Sequence, residues 1–205
     1  MDTQQLTSSI FLYIIIILSA VFHEYAHAWS AYRLGDSTAK DQGRLTLNPI
    51  KHIDPVGTVL VPLLLLFTSG IFIGWAKPVP YNPYNLRDQK YGDLKVGIAG
   101  PIANFLIAII LGLLLRLFGG YMLVNDAFLG FVSIVVYINI VLGLFNLIPI
   151  PPLDGSKILM DIFPESRRFI EQIGIFGIFL ALFLAFYILS PIAKSVLRLI
   201  VGAGF

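Results

Sequence analysis

The chain has no cysteine. That excludes disulfides, thiolate metal ligands and a cysteine nucleophile, and it leaves the redox compartment unmarked. Charge is scarce as well. Asp, Glu, Lys and Arg together make up 13% of the 205 residues, about half the share in a soluble domain. The fourteen Lys and Arg against twelve Asp and Glu leave a net charge of +2, too small for a nucleic-acid-binding surface. Hydrophobic residues reach 57% and the mean hydropathy is +0.84. A water-facing surface cannot be assembled from this composition, so the chain reads as an integral membrane protein.

A helix needs about 20 apolar residues to cross the hydrocarbon. Five runs free of Asp, Glu, Lys and Arg reach that length: residues 3–22, 56–76, 96–115, 127–153 and 172–193. The first has no basic segment before it and no small-residue cleavage site after it, so it reads as an anchor rather than a removable signal. The run 56–76 is the irregular one, with Gly57, Pro62, Gly70 and Gly74 and the pair Thr68-Ser69. Irregular backbone at membrane depth survives only where protein or a water cavity covers it, so this run reads as a re-entrant hairpin.

Basic residues support that reading. If all five runs cross, seven Lys and Arg fall on each side. If 56–76 enters and leaves on one side, eleven fall on the side of both long loops and three on the other. Only the second arrangement shows the cytoplasmic excess of positive charge expected of membrane proteins. It places the N-terminus outside.

Polar chemistry gathers at the end of the first run. His23-Glu24-Tyr25-Ala26-His27 is an H-E-x-x-H motif. Two histidines at i and i+4 share one helical face and can grip one Zn²⁺, with Glu24 beside them as general base. From composition alone such a motif would arise in roughly one chain of this kind in a thousand. The apolar pattern continues through Ala28, Trp29, Ala31, Tyr32 and Leu34, which puts the motif about two turns inside the helix. Ionisable groups in a membrane helix cost about 2.5–3.5 kcal/mol each to insert, so they mark function rather than decoration.

A catalytic zinc takes three protein ligands and keeps one position open. Residue type leaves His52, Asp54 and Asp154 as candidates for the third, with Asp161, Glu165 and Glu171 set among other charges. Asp154 ends a long uncharged run, behind Pro149, Pro151 and Pro152 and before Gly155. A broken helix of that kind either lines a site or presents Asp154 as the cap of the helix that follows.

Three motifs in order carry a family resemblance: HEYAH at 23–27, AGPIAN at 99–104 and NLIPIPPLDG at 146–155. With RLTLNP at 44–49, HIDPVGT at 52–58 and GWAKPVP at 74–80, the chain resembles the site-2 protease family of intramembrane zinc metalloproteases, in particular compact prokaryotic members without PDZ or CBS domains. The resemblance implies that His23, His27 and Asp154 hold one Zn²⁺ per chain and that Glu24 is the general base. It also makes Asn104 and Asn146 candidates for holding the oxyanion, although Asn commonly bridges membrane helices.

The expected protein is all-α. It has about four transmembrane helices (6–34, 94–118, 127–150 and 168–190), a re-entrant hairpin at 56–76 and a short C-terminal helix at 191–203, all in one domain over 1–205. A small β element near the active site, from Arg44-Leu45-Thr46-Leu47 and the edge Lys77-Pro78-Val79-Pro80, would receive an unwound substrate as an added strand. The expected partner is a membrane protein with a transmembrane helix, in a prokaryotic cell membrane, cut toward the cytoplasmic side; nucleic acid is not a partner, and oligomeric state is not legible. The competing class is a non-proteolytic metal-binding protein or transporter. That class calls for polar groups spread along a pathway, whereas here they gather at one depth.

Overall fold

A computed structural model describes residues 3–69, 74–119 and 126–202. Among them, four helices are long and apolar enough to cross a membrane: Thr7–Arg33, Gly92–Phe118, Asp126–Asn146 and Gly177–Val201. Their outer faces carry exposed Leu, Ile and Phe, such as Leu106, Leu114, Phe179 and Phe183. That surface is stable only against lipid. The chain packs as two compact units, Met1–Arg87 and Asp88–Phe205. Composition shows no boundary at residue 87 because both units are apolar.

The first unit is led by α1, Thr3–Arg33. No glycine or proline interrupts it, and it stops where Gly35 takes a left-handed φ of 112°, which a residue without a Cβ adopts cheaply. The short helix α2 (Thr38–Asp41) follows. A 3₁₀ turn at Pro49–His52 and a π turn at Pro55–Leu60 then lead into α3, Val61–Ser69. Asp54 caps that entry: its Oδ1 accepts from Val56 N at 3.0 Å and Gly57 N at 2.7 Å, and Thr58 Oγ1 accepts from Asp54 N at 2.9 Å.

The tip of the expected hairpin, 70–73, lies outside the described residues, and hydrogen bonds join the stretches on either side of it. Trp75 N donates to Gly57 O at 3.0 Å and Lys77 N to His52 O at 2.9 Å; Thr58 Oγ1 donates to Trp75 O at 2.8 Å. The Trp75 indole lies so close to Gly57 that a Cβ there would collide with it. Tyr13 of α1 donates to Thr58 O. Farther on, Arg87 N donates to Leu34 O at 2.8 Å. The stretch between them therefore carries the chain away from the end of α1 and back to it.

No strand forms among the described residues, and within the first half of the expected β element Leu45 and Thr46 form a bend. The reason lies in the partners. The carbonyls of Lys77 and Pro78 are taken by the Arg44 side chain rather than by a neighbouring backbone, and prolines 78 and 80 have no N–H for a ladder.

The second unit comprises α4 (Gly92–Phe118), α5 (Asp126–Asn146), α6 (Asp154–Ile162), α7 (Arg167–Ile173) and α8 (Gly177–Val201). Ala108, Leu115, Val136, Ile140, Ala193 and Val201 form the core between α4, α5 and the end of α8. Small residues let the helices close up: Gly143 faces the Phe105 ring and Gly112 faces Ile200, as close membrane packing requires. Asp161 Oδ2 accepts from Leu94 N at 2.7 Å and so caps the start of α4.

The last apolar helix spans Gly177–Val201, and Ser190–Val201 is its final segment. Pro191 is accommodated because the π turn Ala185–Leu189 sits directly before it. The ladder is already widened where proline removes a donor.

Candidate metal centre

In the first unit, α1 places His23 and His27 one turn apart on one face. Both are buried, and their Nε2 atoms converge to 2.9 Å with the rings edge to face. Two converging imidazole nitrogens in an apolar setting can share a proton or ligate a single cation. The motif ends six residues before the helix terminus at Arg33.

Glu24 is half-buried. Its Oε2 accepts a hydrogen bond from Val79 N at 2.7 Å, and its Oε1 has no hydrogen-bond partner among the described residues. The donor lies 55 positions away in the chain. It is brought in because the Val79 side chain is buried with Ala28, Ala39 and Leu45 against α1 and α2.

Two of the three candidates for a third ligand are engaged locally. Asp54 spends Oδ1 on capping the π turn. His52 is buried and its Nε2 lies 2.8 Å from Thr46 O; since a carbonyl only accepts, that nitrogen carries the hydrogen.

The third, Asp154, belongs to the second unit. The chain breaks after Asn146, passes the cis Pro151–Pro152 bond and starts α6 at Asp154. The position before it, Leu153, is the cap, and no side-chain cap bond forms, so Asp154 does not serve as the helix cap. Its carboxylate is buried and accepts from Lys157 Nζ at 3.0 Å. Gly155 is required by close approach: a Cβ there would stand 2.3 Å from Leu147 O and 2.5 Å from Ile148 O. Gly97 of α4 lies against the Asp154 carbonyl.

The two asparagines are placed differently. Asn104 is fully buried and donates from Nδ2 to Asn139 Oδ1 at 2.9 Å, linking α4 to α5. Asn139 donates in turn to Val135 O. Asn146 is half-buried and donates to Leu142 O at 3.0 Å in its own helix.

Sequence reading missed the Val79 donor and the Arg44 clamp behind it. The Pro-Val-Pro spacing was the available signal, since it leaves a single backbone donor in three residues.

The model of Peptidase family M50 matches residues 119–190, a stretch that contains Asn146 and Asp154. A Bacillus subtilis protein with the provisional name zinc metalloprotease YwhC is 42% identical over 202 residues, covering 95% of this chain and 87% of that one. The chain belongs to peptidase family M50, the site-2 protease family of zinc metalloproteases. A Mycolicibacterium smegmatis protein with the provisional name zinc metalloprotease Rip2 is 33% identical, over 82% of this chain and 64% of that one. Zinc metalloprotease MJ0392 of Methanocaldococcus jannaschii is 28% identical, over 78% of this chain and 37% of that one. No solved structure matches. The M50 chain is thus a membrane-embedded peptidase, and its four apolar helices agree with that.

Proposed function

We propose that this M50 peptidase hydrolyses peptide bonds within or near the transmembrane segments of membrane-protein substrates, in regulated intramembrane proteolysis. The observation that carries the reading is the convergence of His23 and His27 beside a carboxylate held by a backbone amide. The donor set of imidazoles and a buried carboxylate suits zinc. One Zn²⁺ per chain is assigned to His23, His27 and Asp154; Asp154 is favoured because His52 Nε2 and Asp54 Oδ1 are engaged locally and because it does not cap its helix.

Bound zinc supplies Lewis acidity toward the scissile carbonyl and its attacking water. Glu24 accepts the water's proton on Oε1, while Oε2 stays on Val79 N, and returns the proton to the leaving amine. Asn146 is the preferred donor to the developing oxyanion. Asn104 stays in the proposal as a candidate whose bond to Asn139 favours a role in holding α4 on α5.

An exposed substrate helix must unwind before it can be cut, because its amides are locked in i→i−4 bonds. The stretch 56–76 is assigned to a re-entrant hairpin at the site. The excess of basic residues on the long-loop side supports an active site facing the cytoplasm, in the cell membrane.

Glu24→Gln tests the assignment, because Gln keeps the shape and loses the base. Zinc content should stay at the wild-type level while cleavage of a transmembrane reporter falls at least about a hundredfold. A zinc-loaded variant with wild-type turnover would remove Glu24 from the mechanism.

A further inference from the structure

The carboxylate of Glu24 depends on a strap, and the strap depends on Arg44. Residues 77–80 read Lys-Pro-Val-Pro. Pro78 and Pro80 each fix their own φ and confine the residue before them to extended backbone. Lys77 and Val79 are therefore both stiffened, and Val79 N–H is the sole backbone donor in 78–80.

Four contacts pin the strap. Lys77 N donates to His52 O at 2.9 Å. Arg44 Nη2 donates to Lys77 O at 2.7 Å and reaches Pro78 O at 3.4 Å. The Val79 side chain is buried against Ala28, Ala39 and Leu45. Val79 N closes on Glu24 Oε2 at 2.7 Å.

Arg44 is only 6% exposed, and its Nε is buried with no hydrogen-bond partner among the described residues. Burying a guanidinium is costly unless strong acceptors compensate it. Here the compensation comes from backbone carbonyls one and two residues before the amide that holds the base. A bond from a charged donor is shorter and stronger than a neutral one, which suits it to fixing a loop.

We propose that Arg44 is a positioning residue for the catalytic base: through the Lys77 and Pro78 carbonyls it holds Val79 N–H on Glu24 Oε2 and so orients Oε1 toward the water. This rests on Glu24 being the base. Arg44 touches neither substrate nor metal; it acts through the strap, and its effect appears in turnover rather than in binding.

The test compares purified full-length wild type, Arg44→Ala and Arg44→Lys. A misplacement of about 1 Å costs on the order of a hundredfold. In Arg44→Ala, kcat should therefore fall by about tenfold to a hundredfold, with KM within about twofold and zinc content unchanged. Amide hydrogen exchange gives a readout independent of activity, because Val79 carries the only amide between Lys77 and Tyr81. It should be protected in wild type and exchange freely in Arg44→Ala. Arg44→Lys, which keeps a charged donor, should recover part of both.

Three results would overturn the proposal: Val79 protection that survives in Arg44→Ala, lost protection with unchanged kcat, or an effect confined to KM or to zinc content. If instead zinc-loaded Glu24→Gln turns over like wild type, the general-base reading fails, whatever the Arg44 variants do to Val79 exchange.

Discussion

Asp154 is a buried carboxylate whose observed partner is Lys157, one turn later on α6. A buried charge is tolerated only when it is compensated, and a partly exposed lysine compensates it here. That suits a carboxylate able to exchange an ammonium partner for a metal. Asp154→Ala is expected to lose both zinc and proteolysis, as measured by metal content per chain and reporter cleavage. Unchanged zinc stoichiometry would remove Asp154 from the ligand set and return His52 to consideration. Asn104 teaches the opposite lesson at the same scale: a motif residue with an amide to offer is found spending it on Asn139.

The turn after α1 is held by Asp36, which is 1% exposed. Its Oδ1 accepts from Thr38 N, Thr38 Oγ1 and Asn85 Nδ2, and its Oδ2 from Asn82 N. Burial pushes its pKa up, but the four hydrogen bonds to the charged form outweigh that and hold it below the ordinary value. A folded-state pKa below the unfolded one gives stability that is present above about pH 4 and is lost as pH falls through the folded value. Thermal melts in detergent should therefore show wild type falling toward Asp36→Asn below about pH 4. Near neutral pH the variant should be less stable by about 1–3 kcal/mol, the cost of under-satisfied buried groups. A gap between the two that does not change with pH would show that the charge on Asp36 is not what binds the turn.

For the molecule as a whole, the proposed topology has a sharp consequence. The chain leaves α1 at Leu34 and returns to it at Arg87, so positions 41 and 84 should face the same compartment. With no native cysteine, single cysteines at Asp41, Tyr84 and Asp126 are clean reporters. A membrane-impermeant thiol reagent should label position 126 in intact cells and positions 41 and 84 only after permeabilisation. Labelling of 84 but not 41 from outside would mean that 56–76 crosses the membrane. Labelling of both from outside would invert the proposed orientation.

Local signals settled a good deal of this from sequence. Hydropathy marked the spanning helices, because a bilayer imposes its length on any crossing segment. The i, i+4 period put His23 and His27 on one face, because the α-helix repeats every 3.6 residues. Contacts between residues far apart in the chain decided the rest. Val79 reaches Glu24 across 55 positions, Asn104 meets Asn139 across 35, and Arg44 meets Lys77 across 33. None of these leaves a periodic trace in the sequence, because each arises from packing of separate elements. The same holds for Asp54 and His52. Their residue types suggested a ligand in each case, and only the folded surroundings made them a cap and a carbonyl donor. Residue type sets what a side chain is able to do, and the partners that packing brings within hydrogen-bond distance decide which of those roles it takes.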